Sequence, residues 1–184
     1  MVLRIGEVEE GFARRVFQGC GVDISRCLEC GKCSGGCSTG HLMDYTPRQV
    51  IQLVKLGQED ALLGCDALWV CVACHLCADR CPSAIDIPRL YDWAREQAWR
   101  RNVAPPRPQV RLFHELMLGE IAARGRVSEL SLAVRFNLRS RQYLKDAGLG
   151  RRMAFKGKLN PFVPRVRAVR LLRRMIARTG PGRD

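Results

Sequence analysis

The sequence predicts an all-α chain: a helical domain with two cysteine-rich loops, followed by a basic helical extension. Three observations predict it. Alternating β-branched and aromatic runs, the mark of strands, are nearly absent. Helix-period segments with recognisable starts flank the cysteines. The charge is split along the chain, with 11 basic and 13 acidic side chains in residues 1–100 against 20 and 5 in residues 101–184. The first part is close to neutral at −2 and the second holds +15, so the overall +13 belongs to the extension. A length of 184 residues with 47% apolar side chains suits one domain plus an extension and is too apolar for a disordered chain.

The elements follow in order. Residues 1–26 form a lead-in, where "EVEEGFARRVFQGCG" predicts a short helix between Glu7 and Gln18 with Val8, Phe12 and Val16 on one face. Residues 27–100 form the cysteine domain. Within it, "DYTPRQVIQLVKLG" carries a full start signal: Thr46 as cap, Pro47 at the first helical position and Gln49 to complete a capping box. Val50, Ile51 and Val54 supply its apolar stripe, and Gly57 predicts its stop. "QEDALLGCDALWV" predicts a further helical stretch leading into the second cysteine loop. After Pro82 another helix is expected, capped by Asp86, with Leu90, Ala94, Gln97 and Ala98 along one side and Tyr91, Trp93 and Trp99 around it.

"RNVAPPRP" at 101–108 is a boundary, because three prolines remove backbone donors there. In the extension, 101–184, "QVRLFHELMLGEIAAR" predicts an amphipathic helix with Leu112, Leu116, Gly119 and Ile121 facing the neutral domain or a partner. "VSELSLAVRFNLRSRQYLKDAG" predicts a second helix and "RVRAVRLLRRMIART" a third, while "KGKLNPFVP" between them reads as extended.

The chemistry lies in the cysteines. "CLECGKCSGGC" at 27–37 and "CVACHLCADRC" at 71–81 share the spacing C-x2-C-x2-C-x3-C and almost nothing else. The start, "MVLRIGEVEEGFARRVF", matches neither a secretory signal nor an Arg-rich presequence free of acids, so a reducing cytoplasm is expected. Ten cysteines there favour a metal over disulfides. Structural zinc prefers pairs of cysteines separated by a longer loop. Three thiols at three-residue intervals instead present three sulfurs to one face of an iron–sulfur cubane, and soft thiolates suit iron. The fourth sulfur must come from elsewhere. In two-cluster ferredoxins the last Cys of each run ligates the other cluster. On that pattern Cys27, Cys30, Cys33 and Cys81 hold cluster one, and Cys71, Cys74, Cys77 and Cys37 hold cluster two, both [4Fe–4S].

Cys20 and Cys65 lie outside both runs and read as small buried hydrophobes. His75 reads as a loop residue at the edge of the site, with a hydrogen bond to the cluster as the sharper alternative; His41 and His114 have no ligand spacing. Gly31, Gly35 and Gly36 would let backbone amides approach the sulfides, Lys32 would act in the same direction, and Pro82 would stiffen the exit of the second loop. The 34 residues from Cys37 to Cys71 hold capped helices and no hairpin, which selects the helical type of two-cluster ferredoxin domain. With all eight motif cysteines engaged, no open iron is expected. No dinucleotide fingerprint, phosphate loop or nucleophile–base pair is found either. One-electron relay is the job that remains, and a relay needs partners.

"CLECGKCSGGC", "YTPRQVIQLVKLG" and "ALWVCVACHLCADRCPSAIDIPRL" together resemble the iron–sulfur C subunit of heterodisulfide reductase and its bacterial relatives. The length, "GRVSEL" and "KGKLNPFVP" extend the resemblance into the tail. The resemblance implies a non-catalytic redox subunit of an oxidoreductase complex. Such a subunit passes electrons through two [4Fe–4S] clusters between a flavin-containing subunit and a cysteine-rich catalytic subunit acting on disulfide, thiol or sulfur substrates. It implies the same crossed ligand sets. The catalytic subunit's adjacent cysteines are missing here, and Ser38 stands where a proline often follows the fourth cysteine.

The tail's arginines alternate with Val, Leu, Ile and Met, which fits helices docking on an acidic partner. A solvated basic face and peripheral contact with a membrane surface are the weaker readings. No transmembrane segment is found, and no nucleic acid is expected, since the bare charge comes without a nucleic-acid motif. Two other functions stay open: an iron–sulfur subunit of another flavoprotein dehydrogenase, and a nucleic-acid-binding protein with structural clusters.

Overall fold

The computed structural model describes residues 11–143, 147–157 and 163–179. The expected lead-in helix over 7–18 falls partly outside these residues, as does most of "KGKLNPFVP". All regular structure among the described residues is helical, and the chain divides into two units, 1–107 and 108–184.

The first unit contains seven α-helices among its described residues: α1 (Phe12–Cys20), α2 (Lys32–Gly35), α3 (Pro47–Lys55), α4 (Glu59–Leu63), α5 (Ala67–Val70), α6 (Leu76–Asp79) and α7 (Ile87–Arg100). Its core is made where the stripes of α1, α3 and α7 meet. Phe12, Val16 and Cys20 recur at four-residue intervals on α1 and are buried. They face Val50, Ile51, Leu53 and Val54 of α3 and Leu90, Tyr91 and Ala94 of α7, all buried. The approach of α1 to α7 is close: a Cβ on Gly19 would stand 2.0 Å from the Trp93 indole nitrogen. Glycine is needed there for space.

Local signals set these helices. Gln49 reaches back to accept the Thr46 N–H at 2.8 Å, closing the start of α3. Gly57 takes a left-handed φ of 67° just past its end. Asp86 accepts the Arg89 N–H at 3.1 Å and caps α7. The stretch 58–70, expected as one helical segment, breaks at Gly64 into α4 and α5. The cap of α5 comes from far along the chain, because the Asp44 carboxylate accepts the N–H groups of Asp66 at 2.8 Å and Ala67 at 2.9 Å. Asp66 in turn pairs with Arg107 at 2.7 Å. Glu59 joins Arg15 of α1 to Arg101 beyond α7, the latter at 2.8 Å.

The second unit contains, among its described residues, α8 (Pro108–Arg124), α9 (Glu129–Arg139), α10 (Ala147–Phe155) and α11 (Val169–Thr179). Along α8 Leu116 is buried, Gly119 is exposed, and Glu120 lies inside. Glu120 is tolerated there because Ser131 donates to it at 2.7 Å and Arg135 at 2.8 Å. Arg173 of α11 donates to the Ala122 carbonyl at 2.7 Å, satisfying a carbonyl in the last turn of α8 that the helix itself leaves open. The second tail helix, expected over 127–148, stops at Arg139, and Arg141 follows in a left-handed conformation with φ 58°. The separate helix α10 has only a weak signature in the sequence, since Gly148 and Gly150 lower the helical signal.

Candidate metal centre

The two cysteine runs fold alike although their intervening residues differ. In the first, Glu29 and Gly31 take left-handed φ values of 56° and 75°, and α2 follows. In the second, Ala73 and His75 take 49° and 61°, and α6 follows. Each pair sits two and four residues after the first cysteine of its run. Left-handed backbone is strained for a non-glycine residue and persists only where its surroundings demand it. Alternating left- and right-handed residues turn successive N–H groups inward, the geometry that receives anions and iron–sulfur centres. The Glu29 N–H already points to Cys27 Sγ, at 3.4 Å.

The loops are clamped from outside. Lys55 of α3 donates to the Cys27 carbonyl at 3.3 Å and to Glu29 at 3.0 Å. The Arg48 N–H donates to Ser34 Oγ at 2.9 Å, tying α2 to α3. The runs also lock onto each other. The Arg80 guanidinium lies across Gly36, where a Cβ would meet its nitrogen at 2.0 Å, and Ser38 Oγ stands 3.8 Å from Cys74 Sγ.

Two small hollows of nearly equal size result. Cys27, Cys30, Cys33 and Cys81 line the first, walled by Ile51, Ile85 and Ile87. Cys37, Cys71, Cys74 and Cys77 line the second, walled by Pro88, Tyr91 and again Ile87. The structure therefore gathers each run's first three cysteines with the last cysteine of the other run. Lys32 and Gly31 border the first hollow with Pro82, and His75 borders the second. Gly35 does not line either hollow, and Cys20 and Cys65 are buried in the helical core. His41 is exposed in a single turn, and His114 belongs to the second unit.

Among the described residues, no three His, Cys, Asp or Glu side chains converge tightly enough to hold one metal ion. Each set of four thiols stands apart around its hollow instead. Burial pushes the Cys33 and Cys71 thiols above their ordinary range and Cys77 to about 11. Cys74 moves the other way, held down by the Leu76 amide and then by Ser38. Any metal binding as thiolate must displace the protons these hollows retain.

Tyr91 is the residue whose importance the sequence does not display. Expected beside the buried face of its helix, it is 1% exposed and lines the second hollow. Its hydroxyl is buried with no hydrogen-bond partner among the described residues. Only the spacing of Ile87, Tyr91 and Ala94 on the buried stripe of α7 hints at its position.

Comparison with known proteins points to an iron–sulfur domain over the same part of the chain. Residues 23–85 match the family model of the 4Fe-4S dicluster domain. The chain is 30% identical over 105 residues to the C subunit of the H(2):CoB-CoM heterodisulfide,ferredoxin reductase of Methanothermobacter thermautotrophicus, covering 57% of each chain. It is 31% identical over 121 residues to the second iron-sulfur C subunit of the CoB--CoM heterodisulfide reductase of Methanocaldococcus jannaschii, covering 61% of each. With the C subunit of the ferredoxin:CoB-CoM heterodisulfide reductase of Methanosarcina mazei it shares 33% identity over 104 residues, 56% of this chain and 63% of that one. The chain thus spans somewhat more than half the length of these curated relatives. Over these stretches it is similar to heterodisulfide reductase C subunits, with a match to a two-cluster iron–sulfur domain at residues 23–85.

Proposed function

We propose that Cys27, Cys30, Cys33 and Cys81 hold one [4Fe–4S] cluster, and Cys37, Cys71, Cys74 and Cys77 a second. We further infer that the chain is the electron-relay subunit of a heterodisulfide-reductase-type complex. The observation that carries the reading is the pair of four-thiol hollows, each completed by the other run's last cysteine. The donor set fits: soft sulfurs, inward backbone amides, and sulfurs spread round a space rather than gathered on one ion. Structural zinc would need its sulfurs about 2.3 Å from one centre.

Bound there, the clusters supply one-electron oxidation and reduction. This chain's residues hold the sulfurs, keep water out and space the sites. Ile51, Ile85 and Ile87 are 1–2% exposed and form dry walls, and Ile87 borders both hollows. An electron therefore has a short path between the two sites through packed side chains. Leu28 and Val72, at matching places in the two runs, are 71% and 63% exposed beside their hollows. They offer one apolar contact near each site.

On the resemblance to these C subunits, a flavin-containing subunit serves one end of this path and a cysteine-rich catalytic subunit the other. The chain itself is non-catalytic. The basic second unit docks them, with Leu118, Leu138, Leu149, Phe155 and Leu171 left exposed beside its arginines. Among the described residues no helix is long and apolar enough to cross a membrane, and we place the chain in the cytoplasm. The test is anaerobic reconstitution with iron and sulfide, followed by EPR and Mössbauer spectroscopy of single variants. Cys81→Ser is expected to alter the cluster of the first run and Cys37→Ser that of the second. The opposite assignment, or about two zinc ions per chain and no iron, would refute the reading.

A further inference from the structure

The two hollows are alike in thiols and differ in the rest of their walls. Glu29, Lys32, Arg48 and Ser83 border the first beside its isoleucines, whereas Tyr91 is in the wall of the second and no aromatic side chain is in the wall of the first. A buried hydroxyl without a partner is costly, so native chains rarely keep one without use. Phenylalanine would fill the same space without that cost. A phenol is an O–H donor at neutral pH, and the hollow that Tyr91 lines is ringed by Cys37, Cys71, Cys74 and Cys77.

We propose that the Tyr91 hydroxyl donates a hydrogen bond to a sulfur of the cluster held by Cys37, Cys71, Cys74 and Cys77, and thereby raises that cluster's reduction potential. The inference rests on the ligand reading above and adds a tuning residue to it. A hydrogen bond to sulfur stabilises the reduced cluster, which is one unit more negative, more than the oxidised one. Tyr91 is a positioning and tuning group and moves no proton during the electron step. Its effect would set the second site's potential independently of the first, although both share Ile87.

The test uses the full chain carrying its reconstituted clusters, titrated potentiometrically by EPR. Cys74→Ser first identifies the signal of the second hollow. In Tyr91→Phe, that signal's reduced-to-oxidised ratio at a fixed potential is expected to fall about tenfold, which is 59 mV for a one-electron couple. The other signal is expected not to move. Exchange into deuterated water gives a second readout that a merely structural ring would not change. An exchangeable deuteron coupled to the second cluster in the wild type is expected to disappear in Tyr91→Phe. Two intact clusters with unchanged potentials and unchanged deuteron coupling overturn the proposal, as does a shift confined to the other cluster. A chain that binds fewer than two clusters, or a Cys74→Ser variant that leaves both signals unaltered, overturns the ligand reading instead and takes the proposal with it.

Discussion

Glu29 and Ala73 hold their backbones at φ 56° and 49°, where an L side chain crowds the following carbonyl. The crowding costs about 1–2 kcal/mol per residue and is sustained by the neighbouring turns. Ala73→Gly removes the penalty and should slow iron loss to a chelator. Ala73→Val adds a branched Cβ to the same conformation and should speed that loss several-fold. Equal release rates from the two variants would contradict a strained loop at this position. Burial similarly separates the ten cysteines. The Cys65 thiol is pushed to about 12 and is 2% exposed, so almost none is thiolate near pH 8. It should resist alkylation until denaturant is added. Cys30 and Cys74, which are exposed, should react as soon as iron is removed.

Between elements, close approach and buried charge decide stability. Gly19 admits the Trp93 ring against α1, and a Cβ there would overlap a rigid indole rather than a flexible chain end. Gly19→Ala should therefore destabilise the first unit by about 1–3 kcal/mol despite its better helix propensity. Thermal unfolding of the holoprotein measures this, and a raised midpoint would show that the helices can move apart. In the second unit, burial raises the Glu120 pKa, but Ser131, Arg135 and Arg124 outweigh it and hold the carboxyl below its ordinary value. A depressed folded value means the stabilisation is complete above the unfolded pKa of about 4.3 and is lost as pH falls through the lower folded one. Glu120→Gln should cost about 2 kcal/mol at pH 7 and little at pH 2. Circular dichroism during urea unfolding at both pH values checks the sign.

Across the whole molecule the charges divide the work. Residues 1–100 are near neutral around the thiol hollows, and 101–184 carry +15. Arg170 and Arg174 are exposed on α11, whereas Arg173 is engaged with α8 and should be left alone. If the proposed flavin-containing and cysteine-rich partners dock here, Arg170→Glu with Arg174→Glu should weaken their association about tenfold at low salt and less at high salt, through loss of steering and pairing. Iron content should not change. Unaltered association would remove the docking role from this face.

Much of this was written locally. The cysteine intervals, the Thr46–Gln49 start of α3, the Asp86 cap of α7 and the charge division are neighbour-to-neighbour features, so a linear reading finds them. Other features depend on residues distant in the chain. Asp44 caps α5 across 22 and 23 residues, Arg80 crosses Gly36, and Tyr91 enters the second hollow only once α7 has docked. Nothing in the intervals of one run contains the position of the other. The kind of ligand was thus legible in the chain, because chemistry follows residue type and spacing. The grouping of the thiols was expected from the two-run pattern, whereas the walls around them and the lone phenol beside one set emerged only from packing, because burial and long-range contact are properties of the assembled core.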